Sequence, residues 1–303
     1  MKAITVSDPA AGVAGMRVEE RPAPHAAEND VIVRVRAAGF TPGELEWPAT
    51  WTDRAGHDRT PAIPGHELAG IVTGLGYGTT GLTVGQRVFG LADWARDGTL
   101  AEFVAVEARN LAPLPADVDF VTAASLPISG LTAWQALFQH GGIQAGQTVL
   151  VTGAAGGVGS LVVQLAREAG AVVIGTGRAG HRDRATEAGA HVFVDTEELD
   201  AAGSVDLVVD VLGGDVGARA LGLVRPGGRF VTIAAPPASE RPDVTALFFV
   251  VEPSRVELEQ LVARVRAGAL RSFIGDVVEL DGAPAAFAGR GSRNGKTIVR
   301  VAD

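Results

Sequence analysis

The string Val149-Leu150-Val151-Thr152-Gly153-Ala154-Ala155-Gly156-Gly157-Val158-Gly159, running on into Ser160-Leu161-Val162-Val163-Gln164-Leu165-Ala166, restricts the fold more than any other part of the chain. A short aliphatic run ends in a cluster of glycines, and an apolar helical pattern begins at once. That order is strand, tight turn, helix, the setting a dinucleotide-binding turn requires. Each residue type has a physical task. Gly153 and Ala154 keep the turn free of bulk, and Ala155, Gly157 and Val158 complete it. Gly156 lets the backbone approach a pyrophosphate, and Gly159 lets the helix pack closely on the sheet. The unpaired N–H groups at the helix start attract negative charge. Ala154, Gly156 and Gly159 form an AxGxxG variant of the usual fingerprint. A turn with no ligand is the plain alternative, and the flanking pattern weighs against it.

The next strand, Ala171-Val172-Val173-Ile174-Gly175-Thr176, ends roughly 20 residues on, where an NAD-binding protein usually places an Asp or Glu for the ribose hydroxyls. Here Gly177 and Arg178 follow, with His181, Arg182 and Arg184 close behind. A carboxylate would repel a 2′-phosphate, whereas a guanidinium binds one through parallel hydrogen bonds. The pattern predicts NADP(H), with Arg178 as the residue that reads the phosphate. Arg182 and Arg184 read instead as solvated charges on the following helix.

At 303 residues and 47% apolar composition the chain has material for two ordinary domains. No apolar run is long enough to cross a bilayer, and Met1-Lys2-Ala3-Ile4-Thr5-Val6 reads as a strand rather than a leader. No cysteine is present, which excludes disulfides, thiolate metal sites and a cysteine nucleophile. A net charge of −9 disfavours nucleic acid and anionic membranes as partners. These properties predict a soluble, cytoplasmic protein.

Short β-like runs fill the first third. Val31-Ile32-Val33-Arg34-Val35-Arg36 alternates as a half-exposed strand does, and Gly70–Gly74, Gln86–Gly90 and Ala101–Val106 read as further strands around a glycine-rich loop. From Thr148 to about Gly268 strands and helices alternate, the signature of βαβ units and a parallel sheet. Val205–Val211 and Arg229–Ile233 are two of its later strands. Pro253 to Ala269 has helical spacing, and the last segment, Lys296–Val301, is again strand-like.

In this order the chain resembles the medium-chain dehydrogenase/reductase superfamily over essentially its whole length, and within it the zinc-independent quinone oxidoreductase branch. The resemblance rests on Ala37-Ala38-Gly39-Phe40-Thr41-Pro42, Ile63-Pro64-Gly65-His66-Glu67-Leu68-Ala69-Gly70, Val84-Gly85-Gln86-Arg87-Val88, Leu131-Thr132-Ala133-Trp134, the glycine turn and Asn294-Gly295-Lys296. It implies an α/β protein: a GroES-like β-rich domain from residues 1–122 and 269–303, a Rossmann domain with a doubly wound parallel sheet inserted as residues 123–268, and an active-site cleft between them. Gly65-His66-Glu67 is similar to a zinc alcohol dehydrogenase motif. Where those enzymes carry two cysteines this chain has Thr41 and Ile128, and Gly90 to Leu100 is too short for a structural-zinc lobe. One imidazole cannot hold catalytic zinc, which needs three protein donors. No metal is expected, and His66 reads as a structural histidine or a wall of the cleft.

Without a metal, oxidation of simple alcohols is hard, and hydride transfer to a conjugated carbonyl or quinone is easier. By resemblance Thr41 and Thr132 line the nicotinamide end of the cleft, each with a structural or capping role as the alternative. Phe249 falls where related proteins bring a loop near the nicotinamide, or packs in the core. Trp47 and Trp51 are candidate walls for a flat, apolar acceptor, or pack their own loop. Tyr77, in a glycine-rich turn, reads as surface, so no general acid stands out. His57 and His140 carry no spacing that suggests more than local roles. The expected activity is NADPH-dependent reduction of quinones or α,β-unsaturated carbonyls. Reduction of a ketone or aldehyde, and a low-turnover NADPH-binding sensor or structural protein, are the alternatives. Homodimerisation through a sheet edge is expected by analogy, with Phe230–Ile233 as the candidate edge strand.

Overall fold

The computed structural model describes residues 1–237, 241–289 and 295–301; Asn294 of the last family segment lies outside the described residues. In chain order the first elements are β1 (Lys2–Thr5), β2 (Arg17–Glu20), β3 (Asp30–Gly39), α1 (Pro48–Trp51), β4 (Glu67–Leu75), β5 (Arg87–Leu91), β6 (Phe103–Glu107), β7 (Leu111–Pro113) and α2 (Phe120–Ala124). There follow α3 (Pro127–Trp134), β8 (Thr148–Val151), α4 (Gly157–Glu168), β9 (Val172–Gly177), α5 (Arg182–Ala188), β10 (Val192–Asp195), β11 (Val205–Asp210), α6 (Gly214–Gly222), β12 (Val224–Thr232) and β13 (Thr245–Phe248). The chain closes with α7 (Arg255–Arg266), β14 (Ile274–Glu279), α8 (Ala283–Ala288) and β15 (Lys296–Arg300).

Two compact units result, one of residues 1–128, 253–266 and 273–303, the other of residues 129–252 and 267–272. The first is built on a sheet in the order β14-β15-β3-β4-β5-β7, with β6 also on β3 and a separate β1–β2 pair. In β3 the alternation seen in the sequence is the pleat: Val31, Val33 and Val35 are fully buried while Arg34 and Arg36 are half-exposed. β4 lies antiparallel on β3, with Gly39 opposite Glu67. β15 pairs antiparallel with the same strand, so distant segments share one core that includes Phe40, Leu68, Leu100, Phe287 and Val299.

Short segments grouped here were expected in the other unit. α7, foreseen as the last helix of the dinucleotide domain, belongs with the β-rich unit. Its Arg255 donates from Nε to Leu111 O (2.7 Å) and from Nη2 to Ala108 O (2.6 Å), and Arg266 pairs with Asp117. Residues 123–128 fall in the same unit. The short loop after β5 is anchored by Arg96, which grips buried Asp30 with two hydrogen bonds of 3.0 and 2.6 Å. Burial alone would push the Asp30 carboxyl up. The Arg96 hydrogen bonds, the Ala27 N–H and the Arg96 charge together hold it below its ordinary range.

The second unit is a parallel six-stranded sheet in the order β10-β9-β8-β11-β12-β13. α4 forms because Leu161, Val162, Leu165 and Ala166 recur at helical spacing and bury one stripe. One expectation is corrected: Phe230–Ile233 is not an edge. β13 pairs in parallel with β12, Phe230 opposite Ala246 and Val231 opposite Leu247. Phe230 and Val231 are buried on both sides, as an inner parallel strand should be, and the edge falls to β13. Among the described residues no helix is long and apolar enough to cross a membrane.

Candidate functional site

In the second unit the glycine turn separates into a packing side and an open side. Ala154 and Gly159 are buried, and Gly156 and Gly157 are exposed. Gly153 adopts φ +61°, and its amide oxygen closes the turn by accepting from Gly156 N at 2.9 Å. Ala154 N donates to Thr176 O at 3.0 Å, which ties the turn to β9. A Cβ on Gly159 would sit 2.2 Å from Gly153 O, so only glycine lets α4 start this close to the turn. A Cβ on Gly156 would lie 3.2 Å from Gly153 O, a tight contact but a looser one than at Gly159. Gly156 caps α4 without a side-chain hydrogen bond, which leaves the first N–H groups of a twelve-residue helix for an anion. The residues present fit a dinucleotide pyrophosphate.

Arg178 is exposed and follows directly on the carboxyl end of β9. Arg182 is committed elsewhere: it donates to Phe193 O at 3.2 Å and stacks over the Phe193 ring, rather than being merely solvated. Phe249 is half-buried with its ring 4.5 Å from that of His140, and its N–H donates to Thr232 O at 3.3 Å. Thr132 is buried within α3.

In the first unit the Gly65-His66-Glu67 segment creates a buried polar cluster. Gly65 has φ +87° and no room for a Cβ, which would lie 2.9 Å from Thr99 Oγ1. His66 is buried and its Nδ1 donates to Glu44 Oε2 at 2.7 Å, the tautomer a carboxylate acceptor selects. Glu44 is fully buried as well and also accepts from Gly65 N (3.2 Å) and Thr41 N (2.9 Å). Over His66 stand Trp94 (ring centroids 4.9 Å apart) and Trp47 (6.4 Å), themselves in edge contact at 5.0 Å. Thr41 is exposed. Trp51 donates its indole N–H to Leu45 O at 2.9 Å and packs on the core of this unit. Tyr77 is 86% exposed, and His57 is an exposed partner of Asp53.

Glu67 points the other way. Its carboxylate lies against Gly39, where a Cβ would be 2.0 Å from Oε1, and it accepts from Ile128 N at 3.1 Å. Lys296 pairs with it, both side chains being almost wholly buried. Burial pushes the Glu67 carboxyl above its ordinary value, against the pull of the Lys296 ammonium.

A catalytic zinc does not fit these residues. Of the positions compared with zinc enzymes, Thr41 is an exposed hydroxyl and Ile128 an alkyl chain. The imidazole of His66, with Nδ1 on Glu44 and Nε2 buried without a hydrogen-bond partner among the described residues, is therefore a single donor where zinc needs three. Among the described residues no group of three or more His, Cys, Asp or Glu could hold a metal ion. Glu44 and Trp94 were not singled out from the sequence. Glu44 sits 22 positions before the histidine it holds, and Trp94 lies in a loop without periodicity.

Residues 27–116 match the alcohol dehydrogenase GroES-like domain, and residues 157–257 the family described as zinc-binding dehydrogenase. A probable zinc-binding oxidoreductase, mitochondrial, of Arthroderma benhamiae is 30% identical, with 94% of this chain and 92% of that protein covered. The 2-methylene-furan-3-one reductase of Solanum lycopersicum is 31% identical over 83% of this chain and 65% of its own length. The structure of a quinone oxidoreductase from Coxiella burnetii superposes with a TM-score of 0.90, 27% identity and coverage of 100% and 99%. By contrast, the chain spans only 11% of the Spectinabilin polyketide synthase system protein NorB of Streptomyces orinoci, to which it is 37% identical over 74% of its length.

Proposed function

We propose that this chain, which belongs to the medium-chain dehydrogenase/reductase superfamily and is quinone oxidoreductase-like within it, reduces a quinone or an α,β-unsaturated carbonyl with NADPH and without a metal. That it is an oxidoreductase follows from the family. The observation that carries the finer reading is the pairing of an uncapped, exposed helix start at Gly156 and Gly157 with an exposed guanidinium, Arg178, at the end of β9. There the strand itself runs Gly177-Arg178 with no acid, and Asp195 of β10, opposite Gly177, accepts from Glu197 N. The likeness to a quinone oxidoreductase and to a reductase named for a methylene-furanone supports the acceptor class.

When bound, the reduced nicotinamide supplies hydride to the electrophilic carbon of the acceptor. The protein's part is placement. Backbone N–H groups at the start of α4 hold the pyrophosphate, and Arg178 takes the 2′-phosphate through charge-assisted hydrogen bonds. Trp47, backed by Trp94, offers a flat apolar face to the acceptor, and Trp51 fixes the loop that carries Trp47. In the second unit the Thr132 hydroxyl would orient the nicotinamide ring and Phe249 would pack beside it; in the first, the Thr41 hydroxyl would hydrogen-bond a carbonyl oxygen. Water returns the proton. Cytoplasmic residence and a homodimer joined along the free edge of β13, where Phe248 and Val250 are exposed, complete the reading.

The test is titration of the protein with NADPH and NADH, wild type against Arg178→Ala. A charge-assisted hydrogen bond to the phosphate contributes about 1.5–3 kcal/mol, roughly 10- to 150-fold in affinity. NADPH should bind that much more tightly than NADH, and the variant should lose the margin. NADPH consumption with a panel of enones and quinones then reads the acceptor. Equal binding of the two dinucleotides by wild type would refute the role of Arg178.

A further inference from the structure

Asp210, at the carboxyl end of β11, is 1% exposed and belongs to no feature of the site described above. Its carboxylate gathers four donors. Oδ1 accepts from Thr152 Oγ1 (2.7 Å), Leu212 N (3.2 Å) and Gly213 N (3.1 Å), and Oδ2 from Thr232 Oγ1 (2.8 Å) and the same Gly213 N (3.2 Å). Gly217 leaves room for it, since a Cβ there would lie 2.7 Å from Oδ2. The two hydroxyls are not free to turn round, because each already accepts from a backbone amide. Thr152 Oγ1 accepts from Val211 N at 2.9 Å and Thr232 Oγ1 from Ala234 N at 3.2 Å.

The partners matter more than their number. Thr152 is the residue immediately before Gly153 and the glycine turn. Thr232 ends β12, and its carbonyl accepts from Phe249 N at 3.3 Å. One buried carboxylate thus joins the ends of β8, β11 and β12, the carboxyl ends at which open parallel sheets bind their ligands.

We propose that Asp210 is a positioning residue for the dinucleotide: through Thr152 it sets the glycine turn, and through Thr232 the backbone that presents Phe249. The inference rests on the dinucleotide reading of that turn. All four partners are donors, so only an acceptor with two oxygens satisfies them, and the amide of Asn would turn an N–H against at least one. Because Asp210 is buried it acts on both dinucleotides alike and does not read the 2′-phosphate.

The experiment compares NADPH and NADH dissociation constants of wild type, Asp210→Asn, Thr152→Val and Thr152→Ser, at a temperature where circular dichroism shows each to be folded. Asp210→Asn should weaken both dinucleotides by about tenfold or more with their ratio unchanged, Thr152→Val by several-fold, and Thr152→Ser should bind as wild type does. A purely structural role would lower the unfolding midpoint and leave the folded proteins' constants alone. Constants within about twofold of wild type in folded Asp210→Asn, or in Thr152→Val should the former not fold, overturn this inference and leave the role of Arg178 standing. No binding of either dinucleotide by wild type overturns both.

Discussion

Replacing Lys296 by Met should damage the first unit more than any surface change, and the structure says by how much. The ammonium is the charge partner of Glu67, and both side chains are nearly excluded from water. Met fills similar volume but leaves the carboxylate buried beside Gly39 with the Ile128 N–H as its remaining hydrogen bond. Breaking a buried pair on one side costs about 3–5 kcal/mol, which for a unit of this size lowers its melting temperature by roughly 6–20 °C. The pH dependence has a definite sign. Burial raises the Glu67 carboxyl, so the group's contribution is complete at pH values below its unfolded value and declines as pH rises through the folded value. Met removes the ammonium that opposes this rise, so the folded value climbs further and the deficit grows with pH. Three of the four tryptophans, Trp47, Trp51 and Trp94, lie in the first unit, so tryptophan fluorescence during urea unfolding reports mainly on it. Lys296→Met should be weaker than wild type at pH 5 and weaker still at pH 8, and adding Glu67→Gln should recover part of the loss. A midpoint unchanged at both pH values, with no recovery in the double variant, would refute the argument.

The two glycines of the turn should behave differently. Gly156→Ala should cost less stability than Gly159→Ala, its Cβ lying 3.2 Å rather than 2.2 Å from Gly153 O, yet bind NADPH about tenfold or more weakly. Gly159→Ala should lose both, with stability down roughly 1–3 kcal/mol from the overlap with Gly153 O, as paired titration and thermal melts would show. Arg96→Met removes two hydrogen bonds from Asp30 and should cost about 1.5–3 kcal/mol near neutrality. The lowered Asp30 carboxyl gives its stability above the unfolded value and loses it as pH falls through the folded one, so urea midpoints of variant and wild type should converge in acid. Elemental analysis should find zinc far below one per chain, and NADPH oxidation should survive a chelator; stoichiometric zinc would revive the alcohol dehydrogenase reading.

What the sequence made legible was local. The glycine turn, the pleat of β3 and the helical stripe of α4 each follow from neighbouring residues, and the structure has all three. Contacts closed by tertiary packing left no such trace. Glu44 meets His66, and Asp210 meets Thr152, only after strands far apart in the chain have paired. β13 has no alternation to announce it, so β12 looked like an edge. The helical spacing of α7 was legible, but the unit it joins was not, because the attachment is made by Arg255 to carbonyls beside β7. The close packing expected of Gly159 is seen, a Cβ there lying 2.2 Å from Gly153 O.

The pairing of β15 with β3 bears on how the chain acquires its shape. Ala38 on β3 lies opposite Val299, and the entire second unit falls between them in the chain. The second unit draws on one nearly continuous stretch and can collapse as soon as that stretch leaves the ribosome, whereas the first must hold residues 37–39 of β3, beyond the reach of β6, without their β15 partner until the end of the chain arrives. Synthesis order and domain order are therefore inverted: the unit begun first is finished last. In that interval Glu67 has no Lys296, and the nascent β-rich half is the part of this protein most in need of protection from aggregation.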